Sequence, residues 1–154
     1  MADFAAQIRA FQDKVRRNID IVVQESTAEI AAELVSRTPI DITTLRANWQ
    51  FTIGAPSGED FPGAADESPE GSTTAAKLGS EIREVPAGSV TYVVNNRPYM
   101  PMIEYGLYTG GTSGKRRSSK TINGFSTQAP AGVRDVTAIG WQTFVKNAIA
   151  KIIT

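Results

Sequence analysis

The 154-residue sequence has no cysteine and no histidine. Without cysteine there is no disulfide, no thiolate metal site and no thiol nucleophile. Without histidine the commonest general base and the commonest transition-metal ligand are both missing. Charge of one sign is not in excess either: sixteen basic and sixteen acidic residues cancel, so no global field favours nucleic acid or an anionic membrane. No apolar run approaches the ~20 residues of a membrane span. The opening Met1-Ala2-Asp3-Phe4 lacks the basic-then-apolar layout of a secretory signal. The expectation is a soluble protein made in the cytoplasm, not membrane-bound, with no metal, no cofactor and no catalytic residues.

What is present begins with a long amphipathic pattern. Phe4, Ile8, Phe11, Val15, Ile19, Val22, Ile30 and Leu34 recur at steps of three and four, with Ser26 the one polar member. Neither proline nor glycine interrupts before Pro39, so one helix is expected over residues 3–37. At 1.5 Å per residue it would be about 50 Å long, whereas a compact domain of this length is roughly 40 Å across. Such a helix either kinks near Ser26 or projects beyond its domain toward a neighbouring subunit. A second apolar stripe, Val133, Val136, Ile139, Val145, Ile149, Ile152 and Ile153 with Trp141 and Phe144 beside it, predicts a C-terminal helix over 130–153. Gly140 weakens that helix by roughly 1 kcal/mol relative to alanine.

Between the helices the period changes to two. Trp49, Phe51 and Ile53 alternate with Gln50 and Thr52, and Val90, Tyr92 and Val94 alternate with Thr91, Val93 and Asn95. Pro86-Ala87-Gly88-Ser89 reads as a hairpin turn within 82–94. Helices at both ends and strands between them give an α+β class: long N- and C-terminal helices packed on one face of a small antiparallel sheet, with long polar loops. One domain spanning 1–154 accounts for the length.

Two stretches resist regular structure. Residues 54–79 are rich in Gly, Pro, Ser and acid, with Glu59, Asp60, Asp66, Glu67 and Glu70, although a short helix over 73–78 capped by Ser72 is compatible. Residues 108–127 carry the basic run Lys115, Arg116, Arg117 and Lys120 behind flexible glycines. That run is read as docking on an acidic loop of a neighbour; a solvated loop and contact with a DNA backbone are the alternatives. Both stretches are expected to be inter-subunit or partner-contact insertions.

The densest segment is Val93-Val94-Asn95-Asn96-Arg97-Pro98-Tyr99-Met100-Pro101-Met102-Ile103-Glu104-Tyr105-Gly106. A strand leads into a turn that Asn95-Asn96 tolerates. Pro98 and Pro101 stiffen the next residues, and Pro101 can open a helical turn that Gly106 ends. This stiff hook suits a contact surface built from Asn95, Asn96, Arg97, Tyr99, Met102, Glu104 and Tyr105. A carboxylate set in such a hook is expected to pair with an arginine, Arg46 or Arg97.

The same segment resembles the pattern N-x-x-P-Y-A-x-x-I-E-x-G of a family of neck and tail-completion (head–tail joining, tail-terminator-like) proteins of long-tailed bacteriophages. Upstream, Thr38-Pro39-Ile40-Asp41-Ile42-Thr43-Thr44-Leu45-Arg46-Ala47-Asn48-Trp49 is similar to that family's T-P-x-D-T-G-x-L-R-x-S-W. Downstream, Gln128-Ala129-Pro130-Ala131-Gly132-Val133 resembles its A-P-x-x-x approach to a final helix. Thr43 stands at the family's usual glycine and Ile42 at its threonine, so the turn after Asp41 is expected to differ. The resemblance implies a structural virion protein, assembled in the host cytoplasm, that closes as a homo-oligomeric ring, expected to be a hexamer. The ring would lie between head-connector and tail-tube proteins, completing or terminating the tail while DNA passes through its lumen. Two other classes stay open on the residues: a metal-dependent nuclease using Asp41 or Glu104 near Lys115, and a small nucleic-acid-binding module using the basic run.

Overall fold

The structure is a computed structural model and describes residues 2–40, 43–108 and 121–153. Helix α1 runs unbroken over Ala2–Arg37. Its burial starts only near Asn18; side chains 3–17 are exposed, Phe4 by 70% and Phe11 by 64%. Of the two expectations for an overlong helix, projection is the one observed. The reason is coverage: α3 (Ser72–Arg83) and α6 (Trp141–Ile153) both pack on the C-terminal half of α1. Within that half the polar stripe member Ser26 is buried and donates its hydroxyl to the carbonyls of Val22 and Val23 at 2.7 and 3.2 Å, so it imposes no break.

The core draws Ala28, Ala31, Leu34 and Val35 from α1, Leu45 from α2 (Thr43–Ala47), Trp49 from β1 (Trp49–Ile53) and Leu78 and Ile82 from α3. Ile103 of α4 (Met100–Glu104), Ala129 and Val133 complete it. The α+β class holds. Strand β1 pairs antiparallel with β2 (Thr91–Asn95), setting Phe51 opposite Val93 and Trp49 opposite Asn95. Phe51 and Val93 lie against the core, so the Thr91/Val93/Asn95 side of β2 is its inner face.

Three expectations need correction. Residues 82–85 are not strand: α3 extends to Arg83, and Ile82 and Val85 are buried at the end of that helix and just beyond it. The turn at Pro86–Ser89 does form, and α1 holds its base, where the Val85 carbonyl accepts from Gln24 Nε2 and the Ala87 amide donates to Asp20. The C-terminal helix is two helices, α5 (Arg134–Ile139) and α6, parted at Gly140. Part of its anticipated stripe is bare, with Ile139 85% and Ile153 80% exposed; Val133 is buried, Val136, Val145 and Ile152 are half-buried, and the side chain that α6 buries fully is the small Ala148. Finally, residues 121–126 are a hairpin, β3 (Thr121–Ile122) with β4 (Phe125–Ser126), joined by Asn123-Gly124 in the left-handed conformation. That dipeptide between Ile122 and Phe125 is a strong local hairpin signal that a reading of 108–127 as one polar loop overlooks.

A buried polar network fastens the end of α1. Arg46 donates to the carbonyls of Thr38 (2.9 Å) and Ser36 (3.1 Å), Thr38 Oγ1 donates to Leu34 O, and Trp49 Nε1 donates to Thr38 Oγ1 at 2.8 Å. Burial lowers the Arg46 pKa from its ordinary value, and the charges of Asp66 and Glu70 oppose that. Asp66, expected on a contact loop, is instead buried. It accepts from Ser68 and from the amide and hydroxyl of Thr74 in the first turn of α3. Burial of its carboxyl resists ionisation, but those hydrogen bonds outweigh it and bring the pKa down to about 2. A depressed carboxylate pKa contributes stability that is complete above the unfolded value near 4 and is lost as pH falls toward 2. Replacing Asp66 by Asn should therefore cost on the order of 2 kcal/mol at pH 7. Urea denaturation should show that gap closing as the pH is brought from 5 to about 2.

Candidate functional site

Where β2 ends, the chain makes the expected hook. The Arg97 amide donates back to the Asn95 side chain (3.2 Å), and the Met100 amide closes a turn onto the Arg97 carbonyl (2.9 Å). One helical turn, α4, comes next, with Pro101 near its start. It ends at Gly106 in the left-handed conformation, with Leu107 N bonded to Met102 O. A side chain at position 106 would run into the Phe125 ring, 2.5 Å from its Cβ, so glycine also lets the β3–β4 hairpin seat on the hook.

Most polar side chains of the hook are used inside the chain. Asn95 donates to Leu45 O, and Asn96 donates to the carbonyls of Ser57 and Glu59. Arg97 grips both carboxylate oxygens of Asp60 at 3.0 Å and donates to the Tyr99 hydroxyl at 2.6 Å. Its guanidinium lies 4.9 Å from the Tyr99 ring centre, and that ring packs on the core. Asn48, fully buried, pins the same loop by bonding both backbone groups of Phe61. The first half of the 54–79 stretch is thus held against the hook by its own backbone and Asp60. Glu59, Glu67 and Glu70 remain exposed, while Lys115, Arg116, Arg117 and Lys120 lie outside the described residues, as does Asp41.

Glu104 corrects an expectation. Its partner is neither Arg46 nor Arg97: its carboxylate accepts the backbone amides of Val133 (2.9 Å), Arg134 (2.9 Å) and Asp135 (3.1 Å), with the Arg134 guanidinium 3.8 Å away. It therefore caps α5 from another part of the chain, a role invisible to sequence reading because the partners are 29 to 31 residues away. Three of the roughly four lone-pair sites on its two oxygens are taken by these amides, so the carboxylate serves the start of α5. Among the described residues no group of three or more acidic side chains is placed to hold a metal ion, and no helix is long and apolar enough to cross a membrane.

What the hook leaves outward is apolar and aromatic. Met102, Tyr105 and Leu107 are exposed beside an open groove of about 490 Å³ lined by Trp49, Val94, Asn96, Pro101, Tyr105 and Arg134. Arg134 lies 5.8 Å from the Tyr105 ring centre. This arrangement has the features of a contact surface: a rigid scaffold, exposed aromatic anchors and a charged rim. The two parts separate by mutation. Glu104→Ala strips three amides of their acceptor and should lower stability by about 2 kcal/mol in urea denaturation, whereas Tyr105→Ala should stay within ~0.5 kcal/mol of the parent.

Comparison with curated proteins and comparison with solved structures each returned no match. A family model does match, over residues 2–106, more than half of the chain, and the matched part contains α1, the buried network and the hook. Its description is "Bacteriophage HK97-gp10, putative tail-component", and the chain belongs to this family of phage tail components.

Proposed function

We propose that the chain is a structural subunit at the head-proximal end of a long-tailed phage's tail. In this reading, copies close into a ring, six being the expected number. The ring joins the tail tube to the head connector, completing or terminating the tail, and lets DNA pass through its lumen. The observation that carries the reading is how the hook is built. Asn95, Asn96, Arg97 and Glu104 direct their hydrogen bonds to fixing it, and Met102, Tyr105 and Leu107 are left outward beside a groove. A surface held this firmly loses little conformational entropy when it docks. Family membership supports a structural role in the tail. The balanced charge suits a ring around moving DNA, since tight phosphate binding would impede transit.

In this reading Met102 and Tyr105 contact a neighbouring subunit or partner, Tyr99 acts as their half-buried support, and the exposed acids Glu59, Glu67 and Glu70 face the basic run of an adjacent copy. The test is electron microscopy of particles made with the gene disabled. Filled heads beside free, finished tails are the expected result for a joining subunit, and overlong tails for a terminator. Normal infectious particles would refute the assignment. Complementation with a Met102→Asp, Tyr105→Asp double variant should fail to restore joined particles, while the purified variant melts like the parent.

A further inference from the structure

The projecting part of α1 carries an apolar stripe that neither the core nor the hook uses. Phe4, Ile8 and Phe11 continue the stripe that α6 and α3 cover further down, yet all three are exposed. At the base of the projection lies a groove of about 400 Å³ walled by Val15, Ile19 and Val22 of α1 with Ile149, Ile152 and Ile153 of α6. Of its lining, only Asn18 carries a polar side chain.

We infer that the occupant of this groove is a second copy of the chain, whose Phe4–Ile8–Phe11 stripe lies along it. Two observations select a copy over another partner. Knob and hole are both on this chain and match in length: the stripe from Phe4 to Phe11 and the α1 wall from Val15 to Val22 each span eight residues, roughly 11 Å of helix. The area is sufficient when the exchange is reciprocal: at ~150–250 Å² for an aromatic side chain and somewhat less for isoleucine, stripe and groove offer roughly 700 Å² per copy, so two copies each docked in the other's groove would bury about 1,400 Å², the size of a stable specific interface. A membrane surface fits less well, because Asp3, Asp13 and Asp20 are interspersed with Arg9, Lys14, Arg16 and Arg17 rather than leaving a uniformly basic face.

The inference rests on the ring reading only in requiring that copies associate; it adds which surfaces meet. The sequence has no native cysteine, so engineered ones report unambiguously. A Phe4→Cys variant and an Ile152→Cys variant, differently tagged, are mixed and oxidised. The expected result is a mixed disulfide in preference to either self-pair. Within one chain this bond is excluded, because Phe4 stands about 16 Å or more along the helix from the groove, beyond the ~7 Å Cα separation a disulfide spans. In sedimentation, a Phe4→Asp, Phe11→Asp variant should associate at least about 100-fold more weakly than the parent, with an unchanged melting profile when both are dilute.

A parent that stays monomeric overturns the inference, as does a double aspartate variant that associates as the parent does. Monomeric parent bound to vesicles of anionic phospholipid would also overturn it. In the case of an associating aspartate variant the copies meet through another surface and the ring reading stands. Normal particles without the gene would remove the tail assignment and leave the cross-link intact.

Discussion

The structure depends on placing one permanent cation, Arg46, inside the protein at the C-terminal end of α1. The last carbonyls of a helix lack partners and carry the negative end of its dipole. Arg46 answers them with directed N–H groups to Ser36 and Thr38. Burying a guanidinium this way is costly unless nearly all its surroundings cooperate. Here they do, with Asp66 and Glu70 supplying negative potential and Trp49 closing over Thr38. Because Asp66 also anchors the first turn of α3, the same network fixes the angle at which α3 lies on α1. Lower down, Glu25 joins Arg83 of α3 to Lys151 of α6, and these two hydrogen bonds draw its pKa to about 2. One helix is thus clamped at two levels, and its residues 3–17 project beyond them.

Projection raises the question of how residues 3–17 remain helical without a core. Nucleation is the costly step in helix formation, and the clamped half of α1 has already made it. Each further residue needs only a propagation term near or above unity, and the segment contains no proline or glycine while being rich in Ala, Gln, Arg and Lys. Asp13 stands four residues from both Arg9 and Arg17, a spacing that adds a few tenths of a kcal/mol. The arm is therefore a helix by propagation, with little tertiary stabilisation of its own.

How much of this was legible depended on the range of the interaction involved. The long helix, the strand Trp49–Ile53, the turn at Asn95-Asn96 and the stop at Gly106 arise from local rules of period and backbone freedom, and they are present as read. Residue roles that depend on distant partners were not legible. Asp66 looked like one acid among five in a polar loop; only the fold brings Thr74 and Arg46 to it. Glu104 looked like the partner of Arg46 or Arg97, yet its arginine is Arg134 at 3.8 Å and its carboxylate accepts from three amides some thirty residues on. The apolar stripes misled in the opposite direction. Period predicts which residues share a face but says nothing about what covers that face, so Ile139 and Ile153 read as core and are exposed, while Phe4 and Phe11 were compatible with either a kinked or a projecting helix and lie on the projection.

That last failure is itself informative. A stripe kept in register with the buried part of its own helix, but left bare, costs a monomer solubility and contributes nothing to its fold. The hook presents the complementary case: most of its polar side chains are consumed inward and Tyr105 remains outward. The stripe continues the helix that the Arg46 and Glu25 clamps hold, and the hook is tied to the same core through Asn95 and Ile103. Two rigid, differently built apolar surfaces on one small subunit can specify two distinct neighbours at a set angle, which a single adaptable patch cannot do. In the proposed ring such a constraint would set the angle between neighbours, and the buried charges hold the helix from which one of the two surfaces extends.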